Sequence, residues 1–182
     1  RDGFGTATII SSRDLSVEGL YIASPDWSPS GSELALVSNF LEKTGLVGTL
    51  YTVEADGNVF RPLIRGAVGP DEKPSWSPDG SKILFDSERA GNFDIWVMNG
   101  DGSDPRQLTD SPGRDLAAAW SPDGKQIASV GGDGTLRLWW TGNGTPGEGL
   151  GVYQANFRWS DSLTWSSDGK QIVAITADRL NV

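Results

Sequence analysis

The chain has 182 residues, of which 37% are hydrophobic, so it holds enough apolar material for one domain or an array of small units. It contains no cysteine and no histidine, which excludes disulfides and thiolate metal sites and removes the commonest catalytic base. A net charge of −9 argues against nucleic acid and anionic membrane surfaces as partners, and no apolar run is long enough to span a bilayer.

The predicted elements are β-strands that recur in a fixed order, which we label A, B, C and D. The chain opens with a C strand over 6–10, and its first A strand ends at Trp27. Gly-Thr or Gly-Asn pairs spaced by 43 residues precede the C strands at Thr6–Ile10, Thr49–Val53, Phe93–Met98 and Leu136–Trp140. D strands are predicted at Val59–Ile64 and Arg106–Thr109. No stretch shows a helical apolar period, so helix should be scarce.

A Trp-Ser-Pro-Asp-Gly turn, or a close variant of it, joins each A strand to its B strand. The four tryptophans are separated by 49, 44 and 45 residues. Serine caps such a turn, proline presets φ at the second position, and glycine accepts the positive φ at the end. The expected structural residues are therefore the tryptophans, as packing between units, and the turn glycines: Trp27, Trp76, Trp120, Trp165, Gly80, Gly124 and Gly169.

The B strands, such as 83–85 and 172–175, are apolar on both faces, so each sheet should be covered on both sides. Four-stranded sheets repeating at this period and buried on both faces predict an all-β propeller with four antiparallel blades per chain. The predicted blades comprise residues 163–182 plus 1–23, 24–66, 73–110 and 117–157. The missing initiator Met suggests a processed or excised segment.

The N-terminal C and D strands would complete the C-terminal A and B strands and so seal the ring. Two closures fit this order of strands. One chain would form a four-bladed ring, or two chains would form an eight-bladed homodimer. An open segment of a longer propeller is the remaining alternative.

The segments 76–98 and 105–109 resemble a TolB-type, WD-repeat-like propeller repeat, and 120–139 is similar in part to a true WD repeat. The Gly-His pair of WD repeats is absent, and Trp139 is followed by Trp140 rather than Asp. The resemblance implies a scaffold for protein contacts, or a gating domain beside a hydrolase, in the bacterial periplasm or cytoplasm.

Sequence motifs for catalysis are lacking. There is no Gly-x-Ser-x-Gly, no histidine and no sialidase signature, and acids such as Asp79 and Asp123 occupy turn positions. The calcium-like segment 99–104 lacks the Gly and Glu of a binding loop, and no helix follows the glycine-rich 142–147. We therefore expect no enzyme activity, no metal and no cofactor.

A protein or peptide partner is expected on the face formed by the D–A and B–C connections, which we call the loop face. This face should carry the residue types that dominate interfaces. The candidate binding residues are Tyr21, Arg89, Arg114, Arg158 and Trp159. Two alternatives stay open: a small-ligand or metal-binding propeller that uses acids at the central channel, and a segment of a larger propeller without independent activity.

Overall fold

A computed structural model describes residues 21–39, 48–64, 69–141, 149–154 and 160–176. The described residues form fourteen antiparallel strands and no helix, and hence nothing long and apolar enough to cross a membrane as a helix. The strands are β1 Ile22–Trp27, β2 Glu33–Ser38, β3 Thr49–Glu54, β4 Phe60–Pro62, β5 Asp71–Trp76, β6 Lys82–Ser87, β7 Asp94–Asn99, β8 Arg106–Gln107, β9 Asp115–Trp120, β10 Gln126–Gly131, β11 Thr135–Trp140, β12 Gly149–Gln154, β13 Ser160–Trp165 and β14 Ile172–Thr176.

These strands form three four-stranded meanders and one pair, and we name them blade 1 (β1–β4), blade 2 (β5–β8), blade 3 (β9–β12) and the terminal pair (β13–β14). The first strands of consecutive units pack on one another, as β1 does on β5 and β9 on β13. Sequential meanders stacked through their first strands are the blades of a β-propeller. The C and D strands predicted within residues 1–20 lie outside the described residues.

The turn between the first two strands of each unit is closed by hydrogen bonds of both backbone and side chains. In blade 2, the Gly80 N–H donates to the Ser77 carbonyl at 2.9 Å, and Gly80 has φ 71°. The Asp79 carboxylate accepts bonds from the Ser77 hydroxyl at 2.6 Å and from the Ser81 backbone N–H at 3.0 Å. In blade 1, Ser30 replaces this aspartate and contacts the hydroxyls of Ser28 and Ser32 instead. The aspartate therefore stabilises the turn, because its carboxylate accepts hydrogen bonds from residues on both sides of it.

Two contacts recur where one unit packs on the next, and we call each such boundary a seam. The Trp120 indole N–H donates to the Ser75 carbonyl of blade 2 at 3.1 Å, and the Trp165 indole N–H donates to the Ala119 carbonyl of blade 3 at 3.2 Å. Turn also packs on turn, because a Cβ on Gly124 would lie 3.6 Å from Pro78 of the preceding blade. Each unit is therefore positioned by its predecessor.

Two of the three apolar clusters in the described residues lie between blades, and the third, formed by Leu36, Tyr51 and Val53, lies within blade 1. Trp76 is 7% exposed and clusters with Ile83 and Phe85 of its own blade and with Val37 and Leu50 of blade 1. A second cluster joins Leu84, Ile95 and Leu108 of blade 2 to Ile127 of blade 3. Sheets buried on both faces explain why the second strands are apolar without alternation.

The first strand of each blade contains a bulge in its pairing with the second strand. Ser24, Lys73 and Ala117 lie at this bulge with φ of 50°, 49° and 56°, an uncommon conformation for residues other than glycine. Each stands three residues before the tryptophan of its strand. At the bulge, backbone groups of the first strand point toward the preceding blade. In blade 3, the Ala117 N–H at the bulge donates to Asp86 of blade 2.

Gly124→Ala should lower the free energy of unfolding by about 1–2 kcal/mol, because alanine is strained in the left-handed region that Gly124 occupies with φ 69°. Urea unfolding followed by circular dichroism measures this change. Gly113→Ala is the matched control, since φ of Gly113 is not positive and a Cβ there would lie 3.8 Å or more from its neighbours. Equal stability of the two variants would contradict the assigned turn geometry.

Candidate functional site

The loop face is built from connections that hydrogen-bond across neighbouring blades. The Asn92 side-chain amide, in the B–C connection of blade 2, donates to the carbonyls of Ser111 at 3.0 Å and Gly113 at 2.8 Å in the connection to blade 3. The Gly132 N–H of blade 3 donates to the Arg114 carbonyl at 2.6 Å. These bonds hold the loops of blades 2 and 3 in one arrangement, so a partner would meet a surface that is already ordered.

Arg114 and Tyr21 are both exposed at the end of their blades that carries the loop face. The Arg114 guanidinium lies over the Phe93 ring, 4.6 Å from its centroid, which orients the charged group without pairing it to an acid. Tyr21 is 46% exposed, and its backbone N–H donates to the Asn39 side chain at 2.8 Å. Both side chains are thus open to solvent, with Arg114 oriented by the Phe93 ring and Tyr21 anchored through its backbone.

Arg89 lies at the same end of blade 2 but is turned into the protein. Its guanidinium pairs with Asp71 at 2.7 Å and lies between the rings of Phe85 and Trp96, at 5.0 and 4.9 Å from their centroids. Only 15% of the side chain is exposed. Arg89 therefore stabilises the framework of the loop face, with little surface of its own to offer. Arg158 and Trp159 lie outside the described residues.

Buried acids line the seam between blades 2 and 3, and the sequence analysis did not single them out. Asp94 is 1% exposed, and its carboxylate accepts a bond from the Gln107 side chain at 3.0 Å. Burial and the nearby Asp115 charge raise the pKa of Asp94 to about 6. Asp115 is itself buried, bonded to the Ser111 hydroxyl at 2.6 Å and paired with Arg137 at 3.4 Å. Two carboxyl groups thus face each other across one seam.

Asp86 is a third buried acid at this seam. Its carboxylate accepts the N–H of Ala117, at the bulge of blade 3, at 3.4 Å, and it lies 3.7 Å from the Lys73 ammonium. Burial raises the pKa of Asp86 to about 7, against the opposing charge of Lys73, and Glu72 raises it further. The strand register places Val37 and Val130 at the equivalent positions of blades 1 and 3. Blade 2 therefore has an ionisable aspartate at a position where blades 1 and 3 have valine.

Asp101, an acid of the calcium-like segment 99–104, has a structural role in a turn. Asp101 accepts the Ser103 N–H at 2.9 Å, and Gly102 has φ 86°, so the calcium-like segment is a turn. No three acidic side chains of the described residues are grouped so that they could hold a metal ion. The glycine-rich segment 142–147 lies outside the described ranges.

Asp86→Val should reduce the loss of stability that accompanies a rise in pH from 4 to 7. An unfolded aspartate releases its proton near pH 4, whereas Asp86 in the folded protein keeps it to about 7. The folded state binds more protons in this window, so each such group lowers the free energy of unfolding by about 1.4 kcal/mol per pH unit as pH rises.

Urea unfolding at half-unit steps from pH 4 to 8 measures this slope for the wild type and Asp86→Val. The slope should become shallower in the variant, most clearly between pH 6 and 7, which lies above the pKa of about 6 at Asp94 and below that of about 7 at Asp86. Lys73 is 34% exposed, so its charge can reach water once Asp86 is gone. Identical slopes for the two proteins would contradict a raised pKa at Asp86.

Comparison with known proteins identifies the fold family. Residues 6–141 match the TolB beta propeller domain family. The Tol-Pal system protein TolB of Anaeromyxobacter dehalogenans is 34% identical over 121 residues, which make up 65% of this chain and 25% of that protein. The uncharacterized peptidase YuxL of Bacillus subtilis is 30% identical over 109 residues, 58% of this chain and 16% of that protein.

Among solved structures, the crystal structure of TolB from Acinetobacter baumannii is similar to 85% of this chain with a TM-score of 0.64 and 25% identity, and the match covers 37% of that chain. The chain therefore spans between a sixth and two fifths of these relatives' lengths. The family match extends over most of the described blades and accounts for their shared turn. The chain belongs to the TolB beta propeller domain family.

Proposed function

We propose that this propeller is a non-enzymatic scaffold that binds a protein or peptide partner on its loop face. The observation that carries the proposal is Arg114, which is exposed, oriented by Phe93 and surrounded by loops that are fixed to one another. Arginine and aromatic side chains supply most of the affinity at protein interfaces. Tyr21 and Trp159 supply the aromatic part of the proposed surface.

The order already present in the loop face favours tight binding. A partner that docks on loops held by the Asn92 and Gly132 bonds loses less conformational entropy than one that must order them. Arg89 and Asp71 support this surface from below through their ion pair. We assign Arg89 to this supporting role, and the direct contacts to Tyr21, Arg114, Arg158 and Trp159.

The relatives favour a protein partner. One is named as a Tol-Pal system protein, so a Pal protein is the first partner to test. The match to YuxL, named as a peptidase, favours a second candidate function, in which the propeller lies beside a hydrolase and gates access to it. In both cases the propeller contributes binding rather than chemistry.

We propose further that the blades belong to a closed ring with four blades from each chain. An N-terminal segment would complete the terminal pair β13–β14, and a homodimer would supply eight blades. The repeated seam supports this, since the turn glycine of each later unit packs on the proline of the preceding turn, and the indoles of Trp120 and Trp165 make the same hydrogen bond. On the side of blade 1 that faces away from blade 2, Leu36, Tyr51 and Val53 are buried, whereas Trp27 is 52% exposed and would be covered in such a ring.

Arg114→Ala combined with Trp159→Ala should weaken binding of Pal from Anaeromyxobacter dehalogenans by about thirtyfold or more, the loss typical of removing an interface hot spot. Biolayer interferometry on immobilised propeller measures the dissociation constant. Arg61→Ala is the matched control, because Arg61 is an exposed arginine paired with Glu54 at 2.7 Å, away from the loop face.

An unchanged circular dichroism spectrum of the double variant should accompany the loss of binding, since Arg114 is exposed and Trp159 is proposed to lie on the same surface. Equal affinities for the double variant and the Arg61→Ala control would refute the loop face as the docking surface. An absence of any Pal binding by the wild type would instead refute the choice of partner.

A further inference from the structure

A small cleft opens between blades 2 and 3 at the end of the blades that carries the Ser-Pro-Asp-Gly turns, opposite the loop face. Its volume is about 170 Å³, and the turn residues Ser77 and Gly124 line it. We propose that this cleft binds a peptide segment of a protein partner, one that presents a phenylalanine side chain next to an aspartate. This second surface goes beyond the proposed function, which places a partner on the loop face.

The apolar part of the cleft lies over the cluster that joins the two blades. Leu108 and Ile127 are buried members of that cluster, and Val97 and Trp120 pack against it. All four side chains line the cleft, together with Trp140, which is 46% exposed. An aromatic side chain that enters here would contact buried aliphatic groups and two indole rings, the kind of packing that gives affinity at protein interfaces.

The size of the cleft favours one side chain of a larger partner over a whole small molecule. Sites that enclose a small molecule have volumes of about 300–1,000 Å³. This cleft has about 170 Å³, so a ligand that fills it keeps most of its surface outside. A peptide segment can make further contacts through the residues on either side of the inserted one, and a peptide is therefore the occupant that the volume favours.

The charge at the cleft comes from Lys82. Of the other charged residues in the described lining, Arg106 is paired with Asp104, and the Asp79 carboxylate accepts hydrogen bonds within its own turn. The Lys82 ammonium donates to the neutral side-chain oxygen of Asn99 at 2.6 Å. An aspartate of the partner, next to the inserted side chain, would supply the negative charge that this ammonium lacks, and charge-assisted hydrogen bonds are among the strongest.

The corresponding cleft between blades 1 and 2 has different chemistry. Glu33 begins β2 where Lys82 begins β6, and Thr52 is the fourth residue of β3 where Val97 is the fourth of β7. Both Glu33 and Thr52 line that second cleft. Blade 3 begins its second strand with Gln126. Among the described blades, a lysine and a valine are thus combined in blade 2 alone, which favours a role in recognition rather than in the shared fold.

The test is a titration of the intact, isotope-labelled chain with short ligands, followed by NMR spectroscopy. The probes are acetylated and amidated Gly-Gly-Phe-Asp-Gly-Gly, the same peptide with Asn in place of Asp, and phenylacetate as a small aromatic acid. We expect the Phe-Asp peptide to shift the indole N–H signals of Trp120 and Trp140, which line the cleft. It should bind about fivefold more tightly than the Phe-Asn peptide, the gain expected from one hydrogen bond between charged groups.

Three variants separate the charged contact from the apolar one. Lys82→Gln introduces the residue of blade 3 at this position and should abolish the preference for the Phe-Asp peptide. Lys170→Gln is the matched control, because the Lys170 side chain is 80% exposed and lies outside the lining of the cleft, so the preference should persist. Trp140→Asn introduces the residue that ends the third strand of blade 2. It should weaken the binding of both peptides by about tenfold, measured from the Trp120 signal.

The possible results decide between occupants and between surfaces. Indole signals that do not move at about 10 mM peptide, equal affinities for the two peptides, or an undiminished preference in Lys82→Gln would each overturn the proposal. Phenylacetate that binds as tightly as the Phe-Asp peptide would assign the cleft to a small molecule and would overturn it as well. Shifts confined to Gly113 and Arg114 would place the peptide on the loop face, in support of the proposed function and against this inference. Because Pal is not used, the two proposals can fail separately.

Discussion

The fold depends on one constraint: every sheet is apolar on both faces, so no blade can bury its core without a neighbour. At each seam a turn glycine packs on the proline of the preceding turn, and at the two later seams the indoles of Trp120 and Trp165 also donate to the preceding first strand. The indole N–H of Trp76 is buried without such a bond. In such a repeat, stability is a sum over units and their interfaces. The cores between Trp76 and Leu50, and between Leu84 and Ile127, are therefore as important to the chain as the hydrogen bonds within any sheet.

The turns between the first and second strands are alike in all blades, whereas the side-chain contacts of the loop face, at the opposite end of the blades, differ from blade to blade. The Ser-Pro-Asp-Gly turns are fixed by the seam, because proline of one turn packs on glycine of the next. At the loop face the repeated contacts are backbone hydrogen bonds, such as Asp71 N–H to the Gly48 carbonyl at 3.0 Å and Asp115 N–H to the Phe93 carbonyl at 2.8 Å, whereas the side-chain contacts differ. There blade 2 uses an Arg89–Asp71 pair, while blade 3 holds the corresponding Asp115 with Arg137 from its third strand. Each blade pairs its buried aspartate with an arginine from a different position. Side chains that have no such structural role, such as Arg114, are available to a partner.

The strands, the turns and the order of the blades follow from the sequence because they are local: alternation, the Trp-Ser-Pro-Asp-Gly signal and its spacing specify them. The hydrogen-bond and ion-pair partners of long polar side chains cannot be predicted in this way, because they come from strands that are distant in the sequence. Arginine is a residue type that is common at protein interfaces, yet the Arg89 side chain is enclosed by Phe85, Trp96 and Asp71. Asp86 could have been found by aligning the second strands, where it stands opposite Val37 and Val130. Its contact with Ala117 depends on a bulge that no propensity indicates.

That bulge connects the architecture to the chemistry of the seam. A β-branched or aromatic residue would be strained at φ 56°, and Ala117 accepts this conformation while turning its N–H toward Asp86 of the preceding blade. The seam between blades 2 and 3 therefore contains two acids with raised pKa, Asp86 and Asp94, whereas the corresponding positions of blade 1 are Val37 and Thr49. Protonation removes a buried negative charge at both positions in a chain whose net charge is −9. The seam between blades 1 and 2 holds an acid at another position, since burial raises the pKa of Asp26, whose carboxylate accepts the Trp76 backbone N–H at 2.7 Å. Acid therefore strengthens both seams, through aspartates at different positions of the repeat.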